Sequence, residues 1–357
     1  MCKVHNSVGC LTVVKSHLAR HQIDDFKSLN EVIQFQKSYE GLRHKIISNS
    51  ENLINVEKSN IISENKQLNE SIESTKLSVQ MALLGELENL KSHVQELSLA
   101  SSNSIWLKAV NYFRVITLKS KIRKFEASLP SRVLYSVQDL VDRFQRNENR
   151  RTYITSQFQD AVIANCLPEL KEIERKKKII DEVNNSIYGA IGEQKVVKIL
   201  STLPDEYVLI NDFSLSFNPP IYNRSDEDYI KSVQIDHLLI SPSGLFLIET
   251  KNWSEQSLKS LSLRSPVSQL KRNSFALFTI LNKQTATLGL ETHHWGKRKV
   301  VLRNVVVLIN EKPQEEFQYV KVLTLAELVN YIKYFPPIYT KKETENIAVE
   351  LISLIGK

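Results

Sequence analysis

The sequence predicts an α/β domain, a mixed sheet flanked by helices, preceded by an all-α and partly coiled-coil N-terminal region. The chain has 357 residues, which is enough for two domains. Its ten prolines all lie at or after Pro130, and no glycine lies between Gly85 and Gly189, so residues that break helices are scarce in the first half. After Gly189, short apolar runs alternate with turn residues, which is typical of strands.

Residues 41–180 carry a helical pattern of apolar side chains. One set recurs every seven residues, and a second advances by four, three, four and three. The two sets are Ile47, Ile54, Ile61 and Leu68, and Leu83, Leu87, Leu90, Val94 and Leu97. The positions that would complete the first heptads hold Ser50, Glu57, Glu64 and Ser71. Because this seam is incomplete, it predicts either a helical hairpin or bundle or a long coil between two chains, and we expect a homo-oligomer assembled through these helices.

A basic, amphipathic segment follows from Asn103 to Phe125. It interleaves lysines and arginines with Trp106, Tyr112 and Phe113. We expect the aromatic residues to pack inward, and contact with phosphate or a membrane surface is the alternative. Further on, Leu129-Pro130-Ser131 predicts a break between two helices.

The C-terminal half predicts strands at 207–211, 233–240, 245–249 and 301–309, and helices at 187–200, 266–281, 325–334 and 341–354. Pro242-Ser243-Gly244 forms the tight turn between the second and third strands. The polar stretch from Asn218 to Lys231 predicts a surface loop. The predicted division is an N-terminal segment (1–40), the helical region (41–180), the sheet domain (181–335) and a C-terminal helix (336–357).

Bulk composition excludes some classes of protein. The chain is 42% hydrophobic and 24% charged, which is typical of a folded, soluble chain. Its formal charge of +7 suits an anionic partner such as nucleic acid. Three cysteines are too few and too uneven for a disulfide framework, so we expect a reducing, cytoplasmic setting. No apolar run is long enough for a membrane span, and the start lacks a secretory signal.

The chemistry is concentrated on two neighbouring strands. Asp236 lies within the apolar run 233–240, where an unpaired carboxylate costs several kcal/mol to bury. Glu249 and Lys251 end the next strand, two residues apart and therefore on the same face. The two carboxylates and the carbonyl of Thr250 can hold Mg²⁺ or Mn²⁺, and the lysine can polarise or deprotonate water and offset charge on a phosphate.

This pattern resembles the Asp…(Asp/Glu)-x-Lys signature of the restriction-endonuclease-like superfamily and, more narrowly, the nuclease-related domain, NERD. The resemblance covers about 140 residues, roughly Tyr188 to Leu328, in several ordered blocks. The blocks are Gly189-Ala190-Ile191-Gly192-Glu193, Gln234-Ile235-Asp236-His237, Ser241-Pro242-Ser243-Gly244-Leu245-Phe246-Leu247-Ile248-Glu249-Thr250-Lys251-Asn252-Trp253, Pro266-Val267-Ser268-Gln269-Leu270 and Val322-Leu323-Thr324-Leu325-Ala326-Glu327-Leu328.

The resemblance implies a restriction-endonuclease-like core and a role for each matching residue. Asp236 and Glu249 would be metal ligands, and Lys251 the catalytic lysine. Glu193, expected at the start of the first core helix, would join the metal site or orient its water, with a first-turn glutamate favoured by the helix dipole as the alternative. Gln269 would position metal or phosphate. The insertion before Asp236 departs from the family pattern at the substrate-facing rim.

Two further sets of residues are weaker candidates. Cys2, His5, Cys10, His17 and His21 resemble a degenerate zinc finger, since His17 and His21 share a helical face; the alternative is loose surface residues. Arg264, Lys271, Arg272, Lys297 and Arg298 are candidate phosphate contacts, and clustering in space would separate them from ordinary solvated charges.

The expected function is a Mg²⁺- or Mn²⁺-dependent endodeoxyribonuclease, acting in DNA processing or in defence against foreign DNA. The alternative is a non-catalytic DNA-binding or scaffold protein that keeps the fold and assembles through its helices. A membrane-surface or cytoskeletal adaptor led by the segment near Trp106 is a third hypothesis. The complete set of carboxylates and lysine favours catalysis.

Overall fold

The computed structural model describes residues 1–99, 105–253, 263–283, 288, 290, 292–293, 296–313 and 315–355. These residues form two compact units, Met1–Lys37 with Arg175–Lys357, and Ser38–Glu174. The first unit contains the sheet, and the described part of the second consists of helices and short turns. This arrangement confirms the predicted fold class.

The sheet of the first unit has six strands and mixed polarity. In spatial order they are β1 (Lys3–His5), β2 (Val208–Asn223), β3 (Asp228–Ser241), β4 (Gly244–Lys251), β7 (Leu302–Leu308) and β8 (Val320–Thr324). The β2–β3 and β3–β4 pairs are antiparallel, and the other three pairs are parallel. The short strands β5 (Thr292–His293) and β6 (Gly296–Lys297) pair separately. The antiparallel β3–β4 hairpin thus stands at the centre of the sheet.

Helices cover both faces of this sheet. The described helices that lie wholly in the first unit are α1 (Gly9–Arg20), α6 (Asn184–Leu200), α7 (Arg264–Lys283), α8 (Leu328–Lys333) and α9 (Lys341–Leu354). Leu239, Phe246 and Ile248 pack with α6 and α8, whereas Leu245 and Leu247 pack with α7 and α9. Alternate residues of β3 and β4 therefore face different helical layers, and nearly continuous apolar strands result.

The prediction of a surface loop from Asn218 to Lys231 is wrong. β2 and β3 run on as a long hairpin in which Ile221 pairs with Ile230, and Ile230 is fully buried. Pro219 and Pro220 fall in a register shift between Ser216 and Ile221, where a strand tolerates residues without an N–H donor. The edge strands β1 and β8 were not predicted, because three and five residues carry too little periodicity to be recognised.

The second unit takes residues from four helices, α2 (Leu29–Leu99), α3 (Ile105–Ser136), α4 (Gln138–Ser156) and α5 (Phe158–Glu182). Ile54 and Ile61 of α2 are buried with Ile154 and Val162, and Leu87 is buried with Ile122 and Phe125. Ion pairs join Glu57 to Arg150 and Lys91 to Glu126. The earlier part of α2 thus contacts α4 and α5, and its later part contacts α3, so α2 lies antiparallel to the helices that follow it. The described residues thus form a helical hairpin within one chain, which is one of the two predicted arrangements. Homo-oligomerisation stays a prediction.

Two expectations in this unit are wrong. Pro130 lies inside α3 and does not end a helix there, and Leu129 beside it packs onto the cluster that joins α3 to α2. That contact supports the helix across the missing N–H. Trp106, Tyr112 and Phe113 do not pack inward: their exposed fractions are 74%, 65% and 68%, and the α2–α3 cluster includes none of them. Among the described residues, no helix is both long and apolar enough to cross a bilayer.

Candidate functional site

The centre of the candidate site is the open end of the β3–β4 hairpin. The β3–β4 ladder ends where His237 pairs with Ile248, so the next residue on each strand, Asp236 on β3 and Glu249 on β4, lies at an adjoining position. The backbone N–H of Thr250 donates a hydrogen bond to Oδ2 of Asp236 at 2.7 Å. The tight turn at residues 242–243 and the apolar pairing of the hairpin therefore bring the two carboxylates to one place.

Glu249 is buried and only half satisfied. Its side chain is 2% exposed, and its Oε1 lies 2.7 Å from the Nζ of Lys251. Its Oε2 has no hydrogen-bond partner among the described residues. A buried carboxylate oxygen without a donor is unfavourable unless a cation or an ordered water meets it.

Glu193 approaches the same place from α6. It is 5% exposed, and its Oε2 accepts a hydrogen bond from the backbone N–H of Cys10 at 3.2 Å. The expectation that Glu193 lies at the start of its helix is wrong, because α6 begins at Asn184 and Glu193 is in its third turn. The helix dipole acts mainly within the first turn, so it does not account for a glutamate here.

The electrostatics of this group favour a cation. Burial, and then the charge of Glu249, raises the pKa of Asp236 to about 8, against the opposing hydrogen bond from Thr250. Burial also raises the pKa of Glu193, to which the charges of Asp212 and Glu249 contribute. For Lys251, burial lowers the pKa, but the neighbouring Glu249 carboxylate outweighs it and the net shift is upward.

We call Asp236, Glu249, Lys251 and Glu193 the carboxylate–lysine site. Its oxygen donors and the unpartnered Oε2 fit a hard divalent cation. Among the described residues, three side chains whose ligand atoms all lie within 4.8 Å of one another are found at a different place, and not at this site. The carboxylates here therefore do not form a closed cage. An open arrangement suits Mg²⁺, which keeps several of its waters.

Comparison with known families identifies this region. Residues 188–309 match the model of NERD, the nuclease-related domain. The match confirms the family resemblance and includes all four members of the carboxylate–lysine site. Comparison with curated proteins gives no match, and comparison with solved structures gives none either.

Other residues of the NERD region support the site without having been predicted. Asn252 follows Lys251, and its Nδ2 donates to the carbonyl oxygen of Tyr188 at 2.7 Å, which ties the end of β4 to α6. Asp212 has a positive φ of 48° and accepts a hydrogen bond from Gln234 at 2.8 Å. Its charge adds to the negative potential at Glu193. A single Asp within a strand, or a single Asn after one, gives no periodic signal by which the sequence would reveal it.

His237 lies on the strand next to Asp236 but belongs to the core. It is fully buried, with Nδ1 2.8 Å from Oδ1 of Asn211. Burial lowers its pKa to about 3, so the ring is neutral. It packs in the protein interior.

The predicted glutamine and basic residues lie on α7 and on the segment before β7. Gln269 is exposed on α7, and its role at the site stays a prediction. Arg272 pairs with Asp228 at 2.7 Å, eight residues before Asp236 on β3. Arg298 pairs with Glu343 at 2.7 Å.

Three basic candidates remain. Arg264 and Lys271 are exposed on α7, and the side chain of Lys297 lies outside the described residues. The contact of these basic side chains with phosphate stays a prediction.

The five predicted zinc ligands also separate. Cys2 is buried against the α6 layer, His5 lies on β1, and Cys10 contacts Glu193. Only His17 and His21 come together, where they meet Glu182 instead of a cysteine. The predicted five-residue set is therefore wrong as a unit, because the folding of β1 and α1 sends its members to different places.

Proposed function

We propose that this protein is a metal-dependent nuclease that hydrolyses DNA phosphodiester bonds at the carboxylate–lysine site. The observation that supports this most is the buried Glu249, bonded to Lys251 through one oxygen and left without a partner on the other, next to Asp236. Placing a second, partly buried carboxylate beside a buried one is costly unless a function requires it. The match of residues 188–309 to a nuclease-related domain gives that function a chemical class.

Asp236 and Glu249 would hold the metal, with the backbone carbonyl of Thr250 as a third oxygen. When bound, Mg²⁺ or Mn²⁺ supplies a Lewis acid for the phosphoryl oxygen and a water of lowered pKa. The residues prepare for this in two ways. The Thr250 N–H holds the Asp236 carboxylate in place, and the unpartnered Oε2 of Glu249 is available as a ligand.

Lys251 has the charge of an electrostatic catalyst. Its raised pKa keeps the ammonium protonated at neutral pH, so it is suited to stabilising negative charge on the phosphate more than to removing a proton. Its bond to Glu249 fixes its position before substrate arrives. Preorganised charge of this kind is among the largest contributions to catalysis.

Glu193 would act beside the metal. The Cys10 N–H holds one of its oxygens, and its raised pKa makes it a better proton acceptor than an exposed glutamate. We assign it the task of accepting a hydrogen bond from the attacking water. The net charge of +7 would favour the approach of a polyanion such as DNA.

Cleavage of supercoiled plasmid tests this proposal. Wild type should nick or linearise DNA with Mg²⁺ or Mn²⁺ and not with EDTA, and Asp236→Ala and Glu249→Ala should be inactive. Asp228→Ala is the matched control, because it removes a carboxylate from the same strand that pairs on the surface with Arg272. Equal cleavage by wild type and both site variants would overturn the assignment. Binding of DNA without cutting under any metal condition would favour the scaffold alternative.

A further inference from the structure

A second cluster of metal-binding side chains lies outside the NERD match. His17 and His21 are one turn apart at the end of α1, and Glu182 is the last residue of α5. One ligand atom from each lies within 4.8 Å of the other two. From this geometry we propose a transition-metal site, of the kind that binds Zn²⁺, formed by His17, His21 and Glu182.

The two imidazoles and the carboxylate are already close to one another. The ring centroids of His17 and His21 are 4.7 Å apart, with the rings tilted by 53°. Nε2 of His17 lies 3.3 Å from Oε2 of Glu182. A metal bound here would need only small side-chain movements, since bond lengths of about 2 Å put two ligand atoms roughly 3–3.5 Å apart.

The contact between His17 and Glu182 leaves one buried nitrogen of His17 without a hydrogen bond. It does not have the geometry of a hydrogen bond, and the buried Nε2 of His17 has no hydrogen-bond partner among the described residues. The imidazole itself is mostly buried, with a side-chain exposure of 17%. A buried nitrogen without a partner is unfavourable, and coordination to a cation would satisfy it.

The backbone that carries the ligands is held on both sides. Val14 and Leu18 of α1 are buried with Ile180 and Val183 near the end of α5. Nη1 of Arg175 donates to the carbonyl oxygen of His21 at 3.1 Å, and Lys176 pairs with Asp25 at 2.7 Å. Because packing and these polar contacts fix α1 against α5, the ligands are preorganised.

The ligand set selects the metal. Two imidazoles and one carboxylate suit Zn²⁺ and its neighbours in the first transition series, whereas Mg²⁺ prefers oxygen. Three protein ligands leave a coordination position for water. Zn²⁺ here would fasten α1 to α5. The first turn of α1 contains Cys10, whose backbone N–H donates to Glu193. The inference of metal binding stands apart from the proposed nuclease activity.

Titration of the full chain with Co²⁺, followed by its visible absorption, tests the site. Millimolar Mg²⁺ should be present throughout to occupy oxygen-rich sites. We expect one Co²⁺ per chain, displaced by Zn²⁺, and an affinity about tenfold or more weaker in His17→Ala, His21→Ala and Glu182→Gln. Glu182→Gln changes an exposed side chain conservatively, so it separates loss of a ligand from loss of folding.

Four variants serve as controls. His44→Ala and His93→Ala remove exposed histidines of α2, and Cys2→Ser and Cys10→Ser remove the thiols that the sequence suggested as ligands. All four should bind Co²⁺ like wild type. Absence of Co²⁺ binding by wild type, or equal binding by wild type and all three ligand variants, would overturn the proposal and leave only a His17–Glu182 ion pair. The readout is independent of DNA cleavage, so either proposal can fail alone.

Discussion

The Nζ atom of Lys251 lies 2.7 Å from Oε1 of Glu249, two residues earlier on the same strand. The pair satisfies one oxygen of a glutamate that is 2% exposed and leaves the other without a partner. Asp236, at the adjoining position of β3, adds a second carboxylate. Burial and the charge of Glu249 disfavour its ionised form and so raise its pKa. An ion pair built for stability alone would leave neither charge uncompensated.

Stability without metal should depend on the protonation of Asp236. Its pKa in the folded chain, about 8, lies above the ordinary value of 3.8, so the folded state binds the proton more tightly than the unfolded state. The stabilisation is complete below the ordinary pKa and is lost as the pH rises towards 8. In EDTA, the free energy of unfolding from urea titrations should therefore fall from about pH 4 to pH 8. Asp236→Asn should flatten much of this fall. Parallel pH profiles for the two proteins would show that Asp236 titrates normally.

Binding of Mg²⁺ should release a proton from the same carboxylate. Because the metal needs Asp236 ionised, its apparent affinity should rise by up to about tenfold per pH unit below 8 and level off above it. Calorimetric titrations in buffers of different ionisation enthalpy measure the released proton. Glu193→Gln is the comparison variant, since it keeps an oxygen for the Cys10 N–H while removing a nearby charge. An affinity that does not change with pH would contradict this linkage.

Gly189 of α6 is predicted to be required for close packing, whereas Gly85 of α2 is not. A Cβ at Gly189 would lie 2.6 Å from Sγ of Cys10, whereas one at Gly85 in α2 would meet nothing within 4 Å. Gly189→Ala should destabilise the protein by about 1–3 kcal/mol, because it pushes α1 away from α6. Gly85→Ala should stabilise it by up to about 1 kcal/mol through helix propensity. Urea denaturation measures both.

A double variant sharpens this test. Cys10→Ala removes the sulfur that the new methyl group would strike, so Gly189→Ala should be less destabilising in that background. A Gly189→Ala protein as stable as Gly85→Ala would show that α1 does not pack against α6 in this way.

The features predictable from sequence were local ones. Asp236, Glu249 and Lys251 lie within sixteen residues joined by a tight turn, so period-two alternation and the turn suffice to place them together. The predicted helix at 341–354 also has the observed bounds, because its apolar face and its Thr340 cap are contained in its own sequence.

The features that sequence did not reveal depend on distant contacts. The Cys10 N–H meets Glu193 across 183 positions, and His17 meets Glu182 across a similar separation. No periodicity links such residues, so the sequence alone groups Cys10 with other cysteine and histidine residues and not with Glu193. The extended β2–β3 hairpin was missed for another reason: Pro219 and Pro220 resemble a loop unless the register shift that accommodates them is known.

The helical hairpin of the second unit gives a matched pair of substitutions. Ile54 is 2% exposed in the cluster with Ile154 and Val162, and its neighbour Leu53 is 61% exposed. Ile54→Ala should cost about 2–5 kcal/mol of stability, and Leu53→Ala should change it by less than about 0.5 kcal/mol. Helical circular dichroism during urea titration measures both. Equal effects would show that α2 does not bury this face within the chain.

The most direct measurement is the single-turnover rate of supercoiled plasmid cleavage with saturating Mn²⁺, comparing wild type with Lys251→Ala. Lys231→Ala, an exposed lysine on β3, is the control. We expect the Lys251→Ala rate to fall by about a hundredfold or more, and the control to cut like wild type. A Lys251→Ala protein that is folded and cuts DNA at the wild-type rate would contradict the assignment of the carboxylate–lysine site as the catalytic centre.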